Sequence, residues 1–334
     1  MNHLARSELA ELFRRSTTLI DVRAPVEFAA GSLPGAVNLP LLIDDERRQV
    51  GTVYKEQGPQ AAIDLGHWLV SGAIRGQRIK AWIEQIKKTP EAVIFCFRGG
   101  LRSQIVQRWL SEHGVDRPLI AGGYKAVRQV LLESLQTEAS IRQFLVVSGP
   151  TGSGKTQYLR SQGRVYLDLE ELASHRGSAF GAREVPQPTQ VDFENRLAVQ
   201  MLRLPQSQEP ILIENESRMI GHRHIPEALF AKMRSSPKIV LHVDFETRVQ
   251  NILQDYVFAS SLGQRGDADR FDQFRQAVLA ISKKLGGQRA EEIMQDLDFS
   301  QKQFVLGGGL ESNRIWIRKL LMWYYDPVYN RVSR

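Results

Sequence analysis

The stretch IRQFLVVSGPTGSGKTQYL, residues 141–159, decides the fold of the second half of the chain. Its apolar run 144–147 has the composition of a buried strand, and it leads into the spacing G-x-x-x-x-G-K-T at residues 149–156. A helical pattern follows, so the motif stands in the strand, loop and helix order of a phosphate-binding P-loop. We therefore expect a phosphate or a diphosphate to bind at this loop.

The predicted loop offers three kinds of contact to that anion. Backbone N–H groups of residues 151–156 would surround the phosphate oxygens, Lys155 would neutralise their charge, and Thr156 would present its hydroxyl to a metal ion. The motif does not decide whether a metal takes part, and Mg²⁺ is the candidate. The predicted phosphate ligands are Gly149, Thr151, Gly152, Ser153, Gly154, Lys155 and Thr156.

Further apolar runs predict that the P-loop strand belongs to a parallel α/β sheet. These runs are residues 164–170, 210–217 and 238–245. Residues 247–300 then show helical periodicity and predict long helices. A conventional nucleotide hydrolase ends one strand with a metal-binding Asp, whereas the best matching strand here ends in ENES, residues 214–217. Glu214, Glu216 and Asp168 are the candidates for that role, so ATP hydrolysis does not follow from the P-loop alone.

Two polar segments of this half of the chain are open to more than one interpretation. LASHRGSAFG, residues 172–181, is either a solvated turn or a mobile loop that binds an anion. ESRMIGHRHIP, residues 216–226, fits a basic rim for phosphates or RNA better than a zinc site, because its His-x-His lacks partner ligands. The candidate contact residues of the two segments are His175, Arg176, Ser178, Arg218 and Arg223.

The tail, residues 311–334, interleaves basic and aromatic side chains. Aromatic rings can stack on unpaired bases while arginines bind phosphates, which makes Trp323 and Tyr325 candidates for contact with RNA. Trp316, Leu320 and Trp323 also share one helical face, so packing in a core explains the pattern equally well.

The N-terminal third of the chain predicts another α/β unit. Residues 17–23 and 91–97 are apolar, β-branched runs that predict buried strands, and residues 59–88 have helical periodicity. The second strand delivers Cys96, the one cysteine among 334 residues, to its carboxyl end. The loop FCFRGGLRSQ, residues 95–104, then leads into an amphipathic helix. An open parallel sheet presents its reactive groups at this edge.

The residues around Cys96 predict a reactive thiolate. A thiol has a reference pKa of about 8.5, so it needs a positive potential to ionise at neutral pH. Arg98 and Arg102 supply charge, and Gly99 and Gly100 let several N–H groups point at one centre. We therefore predict catalytic roles for the cysteine and the two arginines, and anion binding at the two glycines. The alternative is a buried structural cysteine, since free Cys is among the most buried residue types.

The composition favours anionic partners. The chain has a net charge of +7 and a pI of about 9.5, which suits phosphorylated substrates but is weak evidence for nucleic acid by itself. One cysteine cannot form an intramolecular disulfide, and the stretch MNHLARSELAELFRR lacks the apolar core of a signal peptide. The sequence contains no apolar run long enough to span a bilayer, so we predict a cytoplasmic location.

Three stretches resemble the rhodanese fold. DVRAPVEFAAGSLPGAVNLP, residues 21–40, is similar to the opening of that fold, with its D-x-R, E-F and G-x-x-P-G-A-x-N-x-P patterns. FCFRGGLRS occupies the place of the active-site loop, and IAGGYKAV, residues 120–127, that of the closing glycine pair. The resemblance implies that Cys96 carries sulfur or selenium as a persulfide or perselenide.

The cysteine loop is longer than the usual sulfurtransferase loop. Five residues separate Cys96 from Arg102, one more than is usual, and the similar loop of rhodanese-fold phosphatases has room for a tetrahedral, phosphate-like group. Those phosphatases place a His before the nucleophile, whereas this chain has Phe95 there. The combination favours a phosphorus-bearing donor of sulfur or selenium over plain thiosulfate.

The order of the two modules, with DLEELASHRGSAFG, ENES and a terminal YYDPVY, closely resembles the bacterial tRNA 2-selenouridine synthase family over essentially the whole chain. The resemblance implies an α/β protein: a rhodanese-like domain at residues 1–135, then a parallel-sheet P-loop domain with a helical C-terminal extension at residues 136–334. It also implies an enzyme that acts on the wobble 2-thiouridine of tRNA. Such an enzyme attaches a geranyl group from geranyl diphosphate to the sulfur and then installs selenium from selenophosphate. No tightly bound cofactor, membrane contact or protein partner is implied.

The division of labour between the two loops is a hypothesis. The P-loop, with Lys155 as its catalytic residue, would hold the diphosphate of geranyl diphosphate, and the Cys96 loop would serve the selenium step. One rival function is an ATP-dependent P-loop kinase or hydrolase, or a rhodanese sulfurtransferase, acting on RNA. The other is a tRNA-binding protein without catalytic activity. Nucleotide turnover would favour a kinase or hydrolase, and tRNA binding with no change in any nucleoside would favour the binding protein.

Overall fold

A computed structural model gives the fold of the chain. The structure describes residues 3–178, 180–181, 185–258, 267–308 and 310–332. The chain divides into two compact units. The first comprises Met1–Ala139 and Thr189–Leu204, and the second comprises Ser140–Pro188 and Pro205–Arg334. The domain division at residues 1–135 and 136–334 stays a prediction.

The sheet of the first unit has five parallel strands within the described part of the chain. They are β1 His3–Leu4, β2 Leu19–Asp21, β3 Ala36–Asn38, β4 Val93–Phe95 and β5 Leu119–Ile120. Their order across the sheet is β1-β5-β4-β2-β3. All residues of β2 and β4 are buried. Both predicted strands are confirmed, because apolar runs that are covered on both faces belong in the middle of a parallel sheet.

Seven α-helices accompany this sheet in the described residues up to Ile141. They are α1 Leu9–Arg14, α2 Pro25–Ala30, α3 Asp44–Gln57, α4 Pro59–Leu69, α5 Gly72–Lys88, α6 Leu101–Ser111 and α7 Gly123–Ile141. The helical pattern at residues 59–88 is divided into α4 and α5, because Val70 leaves helical geometry and Gly72 has a φ of +49°. Apolar side chains of α5 and α6, among them Trp82 and Trp109, form the core together with the strands.

A buried ion pair connects the end of β2 to α7. Asp21 and Arg23 are almost fully buried, and the Arg23 guanidinium donates to the Asp21 carboxylate and, at 2.8 Å, to the carbonyl of Gly31. The same guanidinium lies over the ring of Tyr124, 3.9 Å from its centroid. The D-x-R pattern is therefore structural, since a buried arginine needs both a carboxylate and further acceptors.

The second unit contains a parallel sheet and a hairpin. Its strands are β6 Phe144–Ser148, β7 Tyr166–Leu167, β8 Ile211–Glu214, β9 Met219–Ile220, β10 Arg223–His224 and β11 Lys238–Val240. The parallel sheet has the order β11-β6-β8-β7, and β9 pairs with β10 in antiparallel fashion. Helices α8 Lys155–Ser161 and α9 Leu169–Leu172 follow β6 and β7. The predicted parallel α/β sheet is confirmed.

Helix α10, Gln190–Arg203, belongs to the first unit although it lies between β7 and β8 in sequence. The side chain of Thr189 caps it by accepting a hydrogen bond from the N–H of Asp192. Asp192 and Asn195 also bond to the backbone of Ser32, at 2.7 and 2.6 Å. The predicted bounds 136–334 include this segment in the P-loop domain, since the sequence of a helix does not say which part of the fold it packs against.

The remaining helices belong to the second unit. They are α11 Glu227–Ser235, α12 Phe245–Ile252, α13 Asp267–Leu285, α14 Gly287–Val305, α15 Arg314–Leu320 and α16 Asp326–Val332, with π-helical turns at Leu253–Phe258 and Leu321–Tyr325. Apolar side chains, among them Phe271, Phe274 and Trp316, hold α12 to α15 together. The predicted helical region is confirmed, and its residues 259–266 lie outside the described residues. Within the described ranges, no helix combines the length and apolar character of a membrane span.

Candidate functional site

The cysteine loop begins where β4 ends. Phe95 is the last residue of the strand, Cys96 follows at the carboxyl edge of the sheet, and α6 begins at Leu101. Cys96 is 3% exposed, and its Sγ lies 3.2 Å from the hydroxyl of Ser103 and 3.8 Å from the carbonyl oxygen of Gly100. The Ser103 hydroxyl donates to the same carbonyl at 3.0 Å. Ser103 therefore positions the sulfur, and sequence reasoning missed it because a serine in a helix carries no signal of its own.

The closing glycine pair lies directly against this loop. A Cβ on Gly123 would be 2.2 Å from the carbonyl oxygen of Cys96 and 2.4 Å from the nitrogen of Gly99. Gly123 also has a φ of +57°, so the position requires glycine on two grounds. The N–H of Tyr124 donates to the Cys96 carbonyl at 2.8 Å. These contacts fix the conformation of the loop that presents the cysteine.

The two predicted arginines of the loop have different surroundings. The Arg102 guanidinium donates to both carboxylate oxygens of Glu27, at 2.6 and 3.1 Å, and Arg47 forms a 3.2 Å ion pair with the same carboxylate. Burial acts to raise the pKa of Glu27, but the hydrogen bonds and charge of Arg102, together with the Ala24 N–H and the charge of Arg47, outweigh it. The pKa is therefore lowered below its ordinary value. Arg98 is exposed, with its guanidinium 6.0 Å from the ring centre of Phe97. Arg98 is therefore the arginine that a dissolved anion meets first.

The P-loop is held by helix α12. Arg248 donates to the carbonyl of Thr151 at 2.9 Å, and Asn251 donates to the carbonyl of Gly152 at 2.9 Å. The N–H of Ser153 donates to the carbonyl of Pro150 at 3.1 Å, and the other N–H groups of the loop stay the predicted anion contacts. Neither Arg248 nor Asn251 was predicted, because each lies almost a hundred residues after the loop it supports.

Three further side chains complete this arrangement. Lys155 donates across the loop to the carbonyl of Gly149 at 3.3 Å. The hydroxyl of Ser153 is buried and has no hydrogen-bond partner among the described residues, so a bound phosphate oxygen would satisfy it. Arg248 also donates to both carboxylate oxygens of Asp326, at 2.5 and 3.2 Å, which connects the YYDP sequence of the tail to the P-loop.

Three carboxylates meet at the carboxyl end of β8. Oxygen atoms of Glu170, Glu214 and Glu216 lie within 4.8 Å of one another. Thr156 donates to one oxygen of Glu214 at 2.5 Å, and the other oxygen of this fully buried side chain has no hydrogen-bond partner in the described part of the chain. Burial and then the charges of Glu170 and Asp168 raise the pKa of Glu214 to about 8, and burial also raises the pKa of Glu216 to about 7. Clustered carboxylates beside a hydroxyl are the ligands that a hard divalent cation prefers.

The polar loop 172–181 crosses this acidic cluster. A Cβ on Gly177 would be 2.5 Å from a carboxylate oxygen of Glu216 and 3.0 Å from one of Glu170. The N–H of His175 donates to the carbonyl of Glu170 at 2.9 Å. The same loop carries Arg176 and Ser178, while Ala179 lies outside the described residues. The loop therefore lies at the acidic cluster, which favours a role in the site over a solvated turn.

Two other predicted residues have structural partners. Asp168 caps α9 through the N–H of Glu171 and forms a 2.9 Å ion pair with Arg160. Arg218 pairs with Glu227 at 2.6 Å, and both side chains are exposed. The charge of Asp168 also contributes to raising the pKa of Glu214 in the acidic cluster. The charge of Arg218, in contrast, is paired with Glu227 at the surface.

The remaining predicted residues lie in the hairpin and the tail. Arg223 is in β10, and Tyr325 is half-buried against the helical core. Trp323 is also half-buried, and its ring centre is 5.6 Å from the cationic groups of both Arg289 and Lys319. Contact of these three side chains with tRNA stays a prediction.

An apolar slot opens beside the P-loop. Its lining includes Thr151 of the P-loop, Phe180 of the polar loop, and Trp316, Leu320 and Tyr325 of the C-terminal helices. The cavity volume of the slot is about 20 Å³, enough for about one water molecule. Its walls are almost entirely apolar, so they complement a hydrocarbon better than a sugar or a base.

The fold and the two loops define a class of protein in which a rhodanese-like unit with a buried cysteine is fused to a P-loop unit with an acidic cluster. A family model for the rhodanese-like domain matches residues 5–129, and the model for the tRNA 2-selenouridine synthase AAA domain matches residues 142–334. The chain belongs to the tRNA 2-selenouridine synthase family.

Curated relatives match nearly the whole chain. The tRNA 2-selenouridine synthase of Bdellovibrio bacteriovorus is 49% identical, and the match covers 98% of this chain and 92% of that protein. The proteins of the same name from Nitrosomonas eutropha and Marinobacter nauticus are 47% and 46% identical. Each match covers 96% of this chain, with 90% and 89% of the relatives. The predicted family, fold class and enzyme class are confirmed.

Proposed function

We propose that this chain is a cytoplasmic tRNA-modifying transferase that converts wobble 2-thiouridine to 2-selenouridine. It first S-geranylates the base with geranyl diphosphate and then replaces the S-geranyl group with selenium from selenophosphate. The observation that carries the proposal is that each unit contains a glycine-rich loop at the carboxyl edge of its parallel sheet, with a reactive side chain beside it. The P-loop unit has Lys155 beside three carboxylates, and the other unit has Cys96 held by Ser103.

Geranylation belongs to the P-loop. The sulfur of 2-thiouridine forms a bond to C1 of the geranyl group, the C1–O bond breaks, diphosphate leaves, and the base releases its N3 proton. Lys155 and the N–H groups of the loop stabilise the charge that develops on the diphosphate. The apolar walls of the slot at Thr151 favour contact with an apolar geranyl chain over a nucleoside, although the slot in this structure is too small to enclose the chain.

A divalent cation fits the acidic cluster. Glu170, Glu214, Glu216 and the Thr156 hydroxyl would hold it, and the unpartnered, buried oxygen of Glu214 is the observation that favours such a ligand. Mg²⁺ is the proposed ion because all the donors are oxygens. When bound, it would neutralise diphosphate charge.

The selenium step belongs to the Cys96 loop. The selenium of selenophosphate forms a bond to C2 of the base, the C2–S bond breaks, and geranylthiolate leaves. Water then cleaves the P–Se bond, which yields 2-selenouridine and phosphate. Loop N–H groups and Arg98 would hold the phosphorus oxyanion, and Cys96, positioned by Ser103, would face the reacting selenium.

The proposed tRNA contacts lie in the hairpin and the tail. The net charge of +7 supports a polyanionic substrate, and Arg223, Trp323 and Tyr325 are the proposed contacts. Arg218 is a weaker candidate because of its pair with Glu227.

One experiment tests the proposal as a whole. Purified protein is incubated with 2-thiouridine tRNA, geranyl diphosphate and Mg²⁺, then with selenophosphate, and the nucleosides are analysed by mass spectrometry. The proposal predicts S-geranyl-2-thiouridine after the first addition and 2-selenouridine after the second. ATP turnover with no change in the nucleoside would instead support the kinase or hydrolase alternative.

A further inference from the structure

A second apolar cavity lies in the first unit, between the α3–α4 hairpin and helix α6. It has a cavity volume of about 170 Å³ and is open to solvent at its mouth. An apolar cavity of about 150 Å³ is large enough to bind a small hydrocarbon such as benzene. Leu42, Val50 and Ile63 contribute to the lining from the hairpin side, and Ile105 and Trp109 contribute from α6. The cavity is larger than the slot beside the P-loop and lies in the other unit, so it is a distinct feature.

This cavity adjoins the cysteine loop. Leu101 and Arg102, the first two residues of α6, belong to its lining, and they directly follow the loop that begins at Cys96. Ser103, the next residue, contacts the Cys96 sulfur at 3.2 Å. Trp109 belongs to the same apolar cluster as Cys96. A ligand that reacts at the cysteine loop therefore has an apolar cavity at its side.

The walls of the cavity select the ligand by polarity. They are almost wholly apolar, and the Arg102 guanidinium is already paired with Glu27. Selenophosphate is small and charged, and ribose and uracil are rich in donors and acceptors, so none of them matches these walls. A branched hydrocarbon chain does match them, because burying it removes apolar surface from water without leaving polar groups unpaired.

We propose that this cavity binds the alkyl group on the sulfur of the tRNA base during selenium transfer, so that the Cys96 loop selects the S-alkylated base over free 2-thiouridine. The inference rests on the proposed two-step function. As the C2–Se bond forms and the C2–S bond breaks, the alkyl chain stays in the cavity and leaves with the thiolate sulfur. Water then cleaves the P–Se bond, as in the proposed selenium step.

The test uses the full chain and short RNAs that already carry S-geranyl-2-thiouridine or S-methyl-2-thiouridine, with selenophosphate. Ile63→Trp and Ile105→Trp are designed to fill the cavity. We expect each substitution to lower kcat/KM for the S-geranyl RNA at least 10-fold and to change kcat/KM for the S-methyl RNA less than 3-fold. Ile63→Ala, which enlarges the cavity, should raise kcat/KM for an S-farnesyl RNA relative to kcat/KM for the S-geranyl RNA.

The controls separate the possible failures. Lys55→Trp adds the same bulk to an exposed position of α3 and should behave as the unchanged protein. Geranylation by each filled variant and its thermal melting report whether it has folded. An equal loss of kcat/KM on both RNAs in a folded variant, or no loss on either, would overturn the proposal that the cavity binds the alkyl group. It would leave the two-step function standing. Failure of the unchanged protein to convert S-geranyl RNA would overturn the two-step function itself.

Discussion

The hydroxyl of Thr156 donates a 2.5 Å hydrogen bond to the carboxylate of Glu214. This bond joins the last residue of the P-loop motif to the last residue of β8, the strand beside β6 in the sheet. In metal-dependent P-loop proteins these two positions share a cation, and here two more glutamates lie within 4.8 Å. The acidic cluster is therefore built where a diphosphate would need charge compensation.

The first prediction concerns the metal. Removing divalent ions with EDTA should lower geranylation at least 10-fold, and Mg²⁺ should restore it. Glu214→Gln should reduce geranylation to a similar extent and abolish the restoration. Selenium transfer to RNA that is already S-geranylated should not change. Glu209→Gln, at an exposed glutamate, is the matched control. Full geranylation in EDTA would show that the cluster serves no metal.

The second prediction concerns Lys155. Lys155→Ala removes the ammonium group that would face the leaving diphosphate, so geranylation should fall about 100-fold or more. Selenium transfer to S-geranyl RNA should remain within 3-fold of the unchanged protein. Lys302→Ala, in α14, should leave both steps intact. A variant that geranylates normally and fails only in selenium transfer would reverse the assignment of the two loops.

The third prediction concerns Cys96. Cys96→Ala should retain geranylation and lose 2-selenouridine, because the sulfur belongs to the loop assigned to selenium. Ser103→Ala, which removes the 3.2 Å contact to the sulfur, should slow selenium transfer and shift its pH profile while geranylation is unchanged. Nucleoside mass analysis after each step checks both variants. Normal selenium incorporation by Cys96→Ala would make this cysteine a structural residue.

The fourth prediction concerns pH and Glu27. Its pKa is lowered in the folded protein below the ordinary value of 4.5, so its bonds to Arg102 stabilise the fold above about pH 4.5, and this contribution is lost as the pH falls through the lowered pKa. Glu27→Gln should lower the free energy of unfolding by about 1.5–3 kcal/mol at pH 7 and by progressively less as the pH falls. Chemical unfolding at several pH values measures this, with exposed Glu56→Gln as control. An equal cost of Glu27→Gln at pH 7 and pH 3 would contradict it.

Local motifs predicted the two loops because their chemistry is contained in short stretches. The P-loop is encoded by residues 149–156, and the cysteine loop by Cys96 and the glycines after it. The buried strands before each loop are also local, since an apolar run identifies a strand covered on both faces. These apolar runs therefore predicted parallel sheets, although they did not predict the order of the strands.

Long-range partners could not be predicted in this way. Arg248 supports a loop 97 residues earlier, and the partner of Arg102 is Glu27, 75 residues before it. Glu170 was not predicted as a site residue, because it ends the apolar run 164–170 and only the fold brings its carboxylate to Glu214. The apolar cavities were invisible because their linings have the same residue types as a core.

The most direct test of the central claim is a single turnover with a preformed intermediate. RNA that carries S-geranyl-2-thiouridine is mixed with Lys155→Ala protein and selenophosphate, and with Cys96→Ala protein in parallel, and the nucleosides are resolved by mass spectrometry. The account predicts 2-selenouridine and geranylthiol with the lysine variant and unreacted S-geranyl base with the cysteine variant. The opposite pattern, or equal conversion by both, would contradict the claim that the Cys96 loop performs selenium transfer and the P-loop does not.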